Sequence, residues 1–239
     1  MTKIRINKYL AQTGLGSRRE VDELIKEGQI KVNKQPAELG MKIDPEKDKI
    51  FVKGKAVSIG DQREELVYFK LNKPVDVVST AADPDGRKTV LNLVKSKARI
   101  YPVGRLDVDS EGLILLTNDG DLTYKLTHPK FEIEKEYVVW ANGNLTDKAL
   151  KKLKTGIRLS DGKTSPAQVY LIWRRQDQVK FKIIITEGRQ RQVRRMSAVA
   201  GLTVTRLMRT RMGSLKLGDL DVASHVKLTI EEIQNLKSL

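Results

Sequence analysis

Residues 104–120 read Gly-Arg-Leu-Asp-Val-Asp-Ser-Glu-Gly-Leu-Ile-Leu-Leu-Thr-Asn-Asp-Gly. A polar loop stands here between two predicted strands, Ile100–Val103 before it and the wholly apolar run Leu113–Leu116 after it. The loop contains three carboxylates: Asp107, Asp109 and Glu111. Buried strands on both sides would hold these side chains rigidly, which indicates a site for chemistry. By composition alone, an ordinary surface turn with solvated acidic side chains is the alternative.

The charge of the chain is strongly positive and unevenly distributed. The 239 residues include 45 Lys and Arg against 30 Asp and Glu, a net charge of +15. Of these, 11 basic side chains and only two acidic ones lie between Arg174 and Arg211. Because the arginine fork pairs with phosphate oxygens and stacks on bases, this block predicts a nucleic-acid partner. A basic face without a polyanionic partner is the alternative, and a membrane is disfavoured because the block lacks an apolar insertion face.

Composition excludes several classes of chemistry. The chain has no cysteine, which excludes disulfides, thiolate metal sites and cysteine nucleophiles and suits a reducing cytoplasm. Its two histidines, His128 and His225, have no metal-ligand spacing. Gly162-Lys163-Thr164 resembles the end of a phosphate loop, but Ile157 stands where the first glycine is needed. We therefore expect a cytoplasmic protein without metal, cofactor or membrane span, whose chemistry relies on carboxylates, tyrosines and arginines.

Local patterns predict two domains. Residues 1–60 indicate two helices and a small sheet, residues 61–65 a mixed-charge linker, and residues 66–239 a larger domain. The second helix is expected to begin at the capping box Ser17-Arg18-Arg19-Glu20, in which serine and glutamate satisfy free backbone donors.

Strand patterns dominate the larger domain. The predicted strands are Leu66–Leu71, Val77–Thr80, Ile100–Val103, Leu113–Thr117, Glu136–Ala141, Ala167–Trp173, Val179–Thr186 and Thr203–Met208. The predicted helices are Leu122–Leu126, Asp147–Leu153, Gln190–Ala200 and Ile230–Leu236. Strands that do not alternate strictly with helices predict an α+β fold, with a mainly antiparallel mixed sheet flanked by helices.

Several motifs, in order, resemble those of one enzyme family. They are Lys73-Pro74 with Ser79-Thr80, Gly104-Arg105-Leu106-Asp107 with Ser110-x-Gly112-Leu113, Lys135-Glu136-Tyr137, Glu187-Gly188-Arg189-x-Arg191-Gln192-Val193-Arg194-Arg195-Met196, and Leu207-x-Arg209-x-x-Met212-Gly213. This set is similar to the RsuA/RluB/RluE/RluF family of ribosomal RNA pseudouridine synthases, and most to its RluB-like members. The first domain resembles the small RNA-binding domain shared with ribosomal protein S4.

The resemblance implies a reaction and roles for four residues. A uridine in ribosomal RNA would be detached from its sugar, rotated and rejoined through carbon. Asp107 matches the catalytic aspartate, Tyr137 the tyrosine that packs on the target base, and Arg194 the basic partner of the aspartate. Arg105 matches the side chain that fills the space left by the flipped nucleotide. Without the motif, Tyr137 reads as an ordinary aromatic residue of a sheet.

The resemblance also implies RNA contacts and a partner. The expected contacts are Arg105, Arg18, Arg19, Lys73, Arg189, Arg191, Arg195 and Arg209. The partner would be ribosomal RNA or a ribosomal assembly intermediate, bound by a monomer, with the large-subunit RNA as the favoured target. The alternatives are a small-subunit enzyme and a catalytically silent RNA-binding factor. One departure is Asp76, which stands where the family usually has glycine; a turn with positive φ or a close approach to RNA at this position would favour glycine.

Overall fold

The computed structural model describes residues 3–57 and 65–239 and divides the chain into two units, Met1–Leu66 and Val67–Leu239. The predicted linker lies outside the described residues except for Glu65, so the predicted domain limits stay predictions. No helix in the described part of the chain is long and apolar enough to span a membrane.

The first unit packs two helices against small antiparallel sheets. Its elements are β1 (Ile4–Arg5), α1 (Ile6–Gln12), α2 (Arg18–Lys26), β2 (Ile30–Val32), β3 (Gln35–Pro36), β4 (Lys42–Ile43), β5 (Ile50–Val52) and β6 (Lys55–Val57). The strands form a sheet in the order β3-β2-β5-β6 and a separate β1-β4 pair. The capping box predicted at the start of α2 is confirmed, since Glu20 N donates to the Ser17 hydroxyl and Ser17 N donates to the Glu20 carboxylate.

The second unit is built on one large mixed sheet. Its strands are β7 (Tyr68–Lys73), β8 (Tyr101–Val103), β9 (Glu111–Thr117), β10 (Lys135–Asn142), β11 (Arg158–Leu159), β12 (Gly162–Lys163), β13 (Gln168–Arg175), β14 (Gln178–Ile185), β15 (Thr203–Met212), β16 (Leu215–Lys216) and β17 (His225–Lys227). Its helices are α3 (Gly120–Thr127), α4 (Asp147–Thr155), α5 (Gln192–Val199) and α6 (Ile230–Ser238), with 3₁₀ turns at Val90–Leu93 and Pro129–Phe131. The sheet order is β13-β14-β10-β15-β9-β7-β17, with β8 on β9 and β16 on β15, and β11-β12 is a separate hairpin. The predicted α+β class is confirmed.

Strand β9 is buried on both faces, which explains its unbroken apolar sequence. Ile114 and Leu116 belong to a core that includes residues of α4 and α5, whereas Leu113 and Leu115 belong to a core that includes residues of α3 and α6. A half-exposed strand would alternate apolar and polar residues, whereas a central strand covered by helices does not need polar positions.

Seven of the eight predicted strands of this unit are present, and the one over Val77–Thr80 is wrong. The backbone there forms only an isolated bridge, Val78 to Thr89. Although its residues have strand propensity, the segment is held by contacts to residues 104–110 instead of by a ladder, as described below.

The parallel contact between β9 and β15 depends on a glycine. Gly112 pairs with Arg209 and has a φ of 100°, in the region that favours glycine. A Cβ atom at this position would lie 2.8 Å from Arg209 N and closer still to Arg209 O. The two backbones can therefore approach only because residue 112 has no side chain.

We predict that Gly112→Ala lowers the free energy of unfolding by roughly 3 kcal/mol, the sum of an overpacking cost and a strained φ. Chemical denaturation measures the change. Gly188→Ala is the matched control, because no atom lies within 4 Å of a Cβ built there. Equal stability of the two variants would contradict the steric explanation.

Candidate active site

The loop of residues 104–110 is held from inside the protein by one lysine. Lys73, at the end of β7, is completely buried. Its Nζ donates to the carbonyl oxygens of Pro74 at 2.9 Å, Asp107 at 3.2 Å and Ser110 at 2.7 Å. Burial lowers the pKa of Lys73 to about 8, against the opposing effect of the Asp107 carboxylate. At neutral pH the ammonium group is therefore still protonated, and its three protons meet three carbonyl groups.

This position of Lys73 corrects a prediction. The sequence suggested that Lys73 contacts RNA, but the side chain has no exposed surface and its donors are already used. Lys73 instead fixes the backbone on either side of Asp107.

The segment that follows Lys73 adds further ties to the same loop. The Ser79 hydroxyl donates to Leu106 O at 2.8 Å and accepts from Leu106 N at 3.1 Å. Asp76 N donates to Val108 O at 2.8 Å. Asp76 has a φ of 61°, so the position does require the left-handed conformation for which glycine is usual, and the aspartate adopts it.

Asp109, and not Asp107, is the ion partner of Arg194. Arg191 binds the Asp109 carboxylate with two hydrogen bonds of 3.0 and 2.8 Å. Arg194 places Nε 3.3 Å from that carboxylate and donates from Nη2 to Asp109 O at 2.7 Å. The predicted Arg194–Asp107 pair is therefore wrong. The reason is a tight turn, in which Ser110 N donates to Asp107 O at 3.0 Å and the Asp109 side chain meets α5.

Asp107 is half-buried and forms no ion pair with any described residue. It still lies within electrostatic range of both arginines. Burial lowers the pKa of Arg194, and the carboxylates of Asp109 and Asp107 oppose that shift. The hydrogen bond from Arg191 lowers the pKa of Asp109. Two carboxylates two residues apart thus have different surroundings, one ion-paired and one without such a partner.

A cavity of about 310 Å³ lies beside the loop, a volume at the low end for small-molecule sites. Its lining residues are Val103, Gly104, Arg105, Leu126, Thr127, Pro129, Lys135, Tyr137, Thr186, Glu187, Gly188, Arg189, Arg209 and Met212. The structure thus brings Arg105 and Tyr137 to one cavity, with Asp107 two residues beyond Arg105. Arg105 is exposed at this cavity, and Tyr137 is buried in its wall.

Two cations lie in the wall of the cavity without an acidic partner in the described part of the chain. Arg209, only 2% exposed, donates from Nε to Leu113 O at 2.8 Å, and its Nη2 has no hydrogen-bond partner among the described residues. Lys135 donates to Ile133 O at 2.9 Å. Burial, and then the charge of Arg209, lowers the pKa of Lys135 to about 8. The cavity is therefore electropositive.

This environment corrects one assignment and adds another residue. Arg209 was expected to contact RNA, but its burial makes it part of the cavity wall. Lys135 was quoted in a motif and assigned no role. Its place two residues before Tyr137 on β10 was the available signal, because residues i and i+2 of a strand face the same side of the sheet.

Other predicted RNA contacts are engaged within the protein. Arg189 pairs with Glu187 at 3.0 Å and donates to Lys163 O at 2.7 Å. Arg195 pairs with Asp161 at 2.8 Å. These two arginines fasten the β11-β12 hairpin to the start of α5. Arg191 keeps 44% of its side-chain surface exposed despite its ion pair.

The remaining predicted contacts lie in the first unit. Arg18 and Arg19 are exposed in the first turn of α2. Helix α5 packs its apolar face on the core through Val193 and Met196, and Arg191, directly before the helix, is exposed. Among the described residues, no group of acidic and histidine side chains is arranged to hold a metal ion.

Comparison with known proteins gives consistent matches over the whole chain. A family model described as RNA pseudouridylate synthase matches residues 67–199, and one described as S4 domain matches residues 4–50. The ribosomal large subunit pseudouridine synthase B of Bacillus subtilis (strain 168) is 45% identical over 98% of this chain and 96% of its own length. The dual-specificity RNA pseudouridine synthase RluF of Salmonella typhi is 34% identical over 100% of this chain and 80% of its own. A crystal structure of a pseudouridylate synthase covers 98% of this chain and 99% of its own, with a TM-score of 0.69 and 30% identity.

We predict that Lys73→Met loosens the loop around Asp107. Three carbonyl groups would lose their donor, which costs about 1–3 kcal/mol for a buried group left unsatisfied. Hydrogen exchange should show faster exchange of the amides of residues 106–110, and denaturation should show the lower stability. Lys88→Met, at an exposed position in the neighbouring segment, is the control. Unchanged exchange in the loop would show that Lys73 does not hold it.

Proposed function

This chain belongs to the RNA pseudouridylate synthase family, and we propose that it isomerises a uridine of large-subunit ribosomal RNA to pseudouridine, with Asp107 as the catalytic carboxylate. The family assignment rests on the match over residues 67–199 and on the relative that is 45% identical along nearly its whole length. The observation that carries the residue assignment is the loop that Lys73 binds through Asp107 O, because this loop also contains Arg105, which lines the same cavity as Tyr137.

The reaction needs a nucleophile or base and a place for the detached uracil. Breaking the bond between C1′ and N1 leaves the uracil in the cavity, where it turns until C5 faces C1′. The new carbon–carbon bond then forms, C5 loses its proton and the freed N1 takes one up. Reactant and product are isomers, so neither a redox partner nor a group donor takes part. Asp107 is suited to the first step because the residue is partly exposed and lacks an ion pair among the described residues.

The cavity wall fits a uracil that carries negative charge. Tyr137 offers a ring for stacking on the base, worth about 1–3 kcal/mol. Lys135 and Arg209 provide positive potential near the base, where charge develops on the uracil oxygens as the glycosidic bond breaks. Arg105, exposed at the same cavity, is placed to fill the gap in the RNA stack after the uridine flips out.

Arg194 acts as a positioning residue in this proposal. It contacts Asp109 through both side chain and backbone and thereby ties the loop to α5. Besides the attraction between its charge and the Asp107 carboxylate, it acts on Asp107 through the path of the loop. Arg191 also pairs with Asp109 but stays partly exposed, so it can contact RNA phosphate. Arg18 and Arg19 in the S4 domain are assigned the same role.

The large-subunit target is supported by one relative's name, that of the Bacillus subtilis large-subunit enzyme. Because another relative is named a dual-specificity enzyme, the second candidate is an enzyme with a wider range of RNA substrates. A silent RNA-binding factor is the third, and a map of pseudouridines separates all three.

We predict that cells lacking this protein lose pseudouridine at a defined site of the large-subunit RNA. Expression of the parent chain and of the exposed-surface control Asp219→Asn should restore the site, whereas Asp107→Asn should not. Purified Asp107→Asn should bind the same RNA with unchanged affinity. Loss of a site in another RNA as well would assign the wider substrate range. Loss of a small-subunit site alone would assign the small-subunit target, and an intact map would leave only a binding factor.

We also predict that Arg194 and Asp109 act as one unit. Arg194→Met and Asp109→Asn should each lower kcat about tenfold, which corresponds to about 1.4 kcal/mol in the barrier. The double variant should be no slower than the slower single variant, because both changes break the ion pair between residues 109 and 194. If the two losses multiply to about a hundredfold, the residues act separately and the positioning role of Arg194 is wrong.

A further inference from the structure

Three aromatic side chains form a surface cluster at the end of α3. Tyr124, His128 and Phe131, here called the aromatic cluster, belong to α3 and the 3₁₀ turn that follows it. Tyr124 lies 4.7 Å from His128 and 5.7 Å from Phe131 between ring centroids, and His128 lies 6.4 Å from Phe131. The rings therefore make one continuous patch.

The aromatic cluster is exposed and carries a positive charge. Tyr124 is 47% exposed and Phe131 36% exposed, although aromatic rings of this size normally bury most of their surface. Lys130 places Nζ 5.0 Å from the Tyr124 ring and 4.6 Å from the Phe131 ring. Only His128 has an evident structural task, since its Nδ1 accepts a hydrogen bond from Lys130 N at 3.2 Å. Packing thus does not account for the exposed rings of Tyr124 and Phe131.

The aromatic cluster adjoins the proposed active site. Thr127 and Pro129, which flank His128 in the chain, line the cavity together with Tyr137. A Cβ built on Gly104 would lie 3.5 Å from the Thr127 methyl group, so α3 directly contacts the start of the loop that carries Asp107. A nucleotide chain with its target base in the cavity would have its neighbouring nucleotides close to these rings.

We propose that the aromatic cluster is a stacking surface for an unpaired RNA base next to the target uridine. This inference rests on the proposed function, because it places the second base relative to the first. Exposed rings interleaved with an ammonium group are the composition of single-strand binding surfaces, where the ring stacks on the base and the cation meets phosphate. The net charge of +15 on the chain suits a polyanion. Since every base has a flat face, the cluster would select an unpaired nucleotide and not a particular base.

The test combines Tyr124→Ala with Phe131→Ala in the full chain. The substrate is an RNA stem-loop carrying the uridine mapped above. The double variant should raise Kd and KM for this RNA about tenfold, the loss of one stacked base, with kcat nearly unchanged. The slope of log affinity against log salt should stay the same, because no charged group is removed. Tyr170→Ala, which removes an equally exposed tyrosine from β13 outside the cavity lining, is the control and should change neither constant.

A second measurement on the parent chain does not depend on the folding of a variant. 2-Aminopurine is placed in turn at each nucleotide flanking the target, and its fluorescence is followed on binding. At one position the fluorescence should be quenched by stacking in the parent, and less so in the double variant. The inference is overturned if the double variant binds within twofold of the parent or if no flanking position is quenched. If the inference is overturned but the parent chain is active and its Asp107→Asn variant is inactive, the proposed function still holds.

Discussion

The three hydrogen bonds from the Lys73 ammonium group to the carbonyls of Pro74, Asp107 and Ser110 are the constraint on which the site depends. A charged amine is costly to bury, and it stays in the interior only because each proton meets an oxygen. These hydrogen bonds in turn fix the conformation of the backbone before and after Asp107. The Asp109 side chain pairs with Arg191 and Arg194, whereas the Asp107 side chain forms no ion pair with a described residue, and their different roles follow from this difference.

The second constraint is the parallel contact between β9 and β15 at Gly112. In a sheet that is otherwise mainly antiparallel, this contact brings the end of the loop against the middle of β15. Arg209, opposite Gly112, extends its guanidinium to Leu113 O and stands in the cavity wall with Tyr137 and Lys135. The same backbone approach that orders the loop therefore also builds the electropositive wall next to it.

Much of this fold follows from local patterns. The capping box at Ser17 and the apolar run of β9 were both readable, because each depends on residues close in the chain. The position of Lys73 was not readable, because lysine is almost always at the surface unless a partner holds it, and two of its three partners lie 34 and 37 residues away. The sequence also could not show whether Arg194 pairs with Asp107 or with Asp109, since this depends on one turn of the loop.

The density of arginines in the sequence overstates how many are free for RNA. Arg189 and Arg195 hold a hairpin, Arg209 is buried, and Arg194 supports the loop. What these residues share is that they neutralise or position acidic and carbonyl groups around the site. As a result, the Asp109 carboxylate is ion-paired at α5, whereas Asp107 has no ion partner among the described residues. An environment that separates two such carboxylates is the usual way in which a site gives one of them a structural task and the other a chemical one.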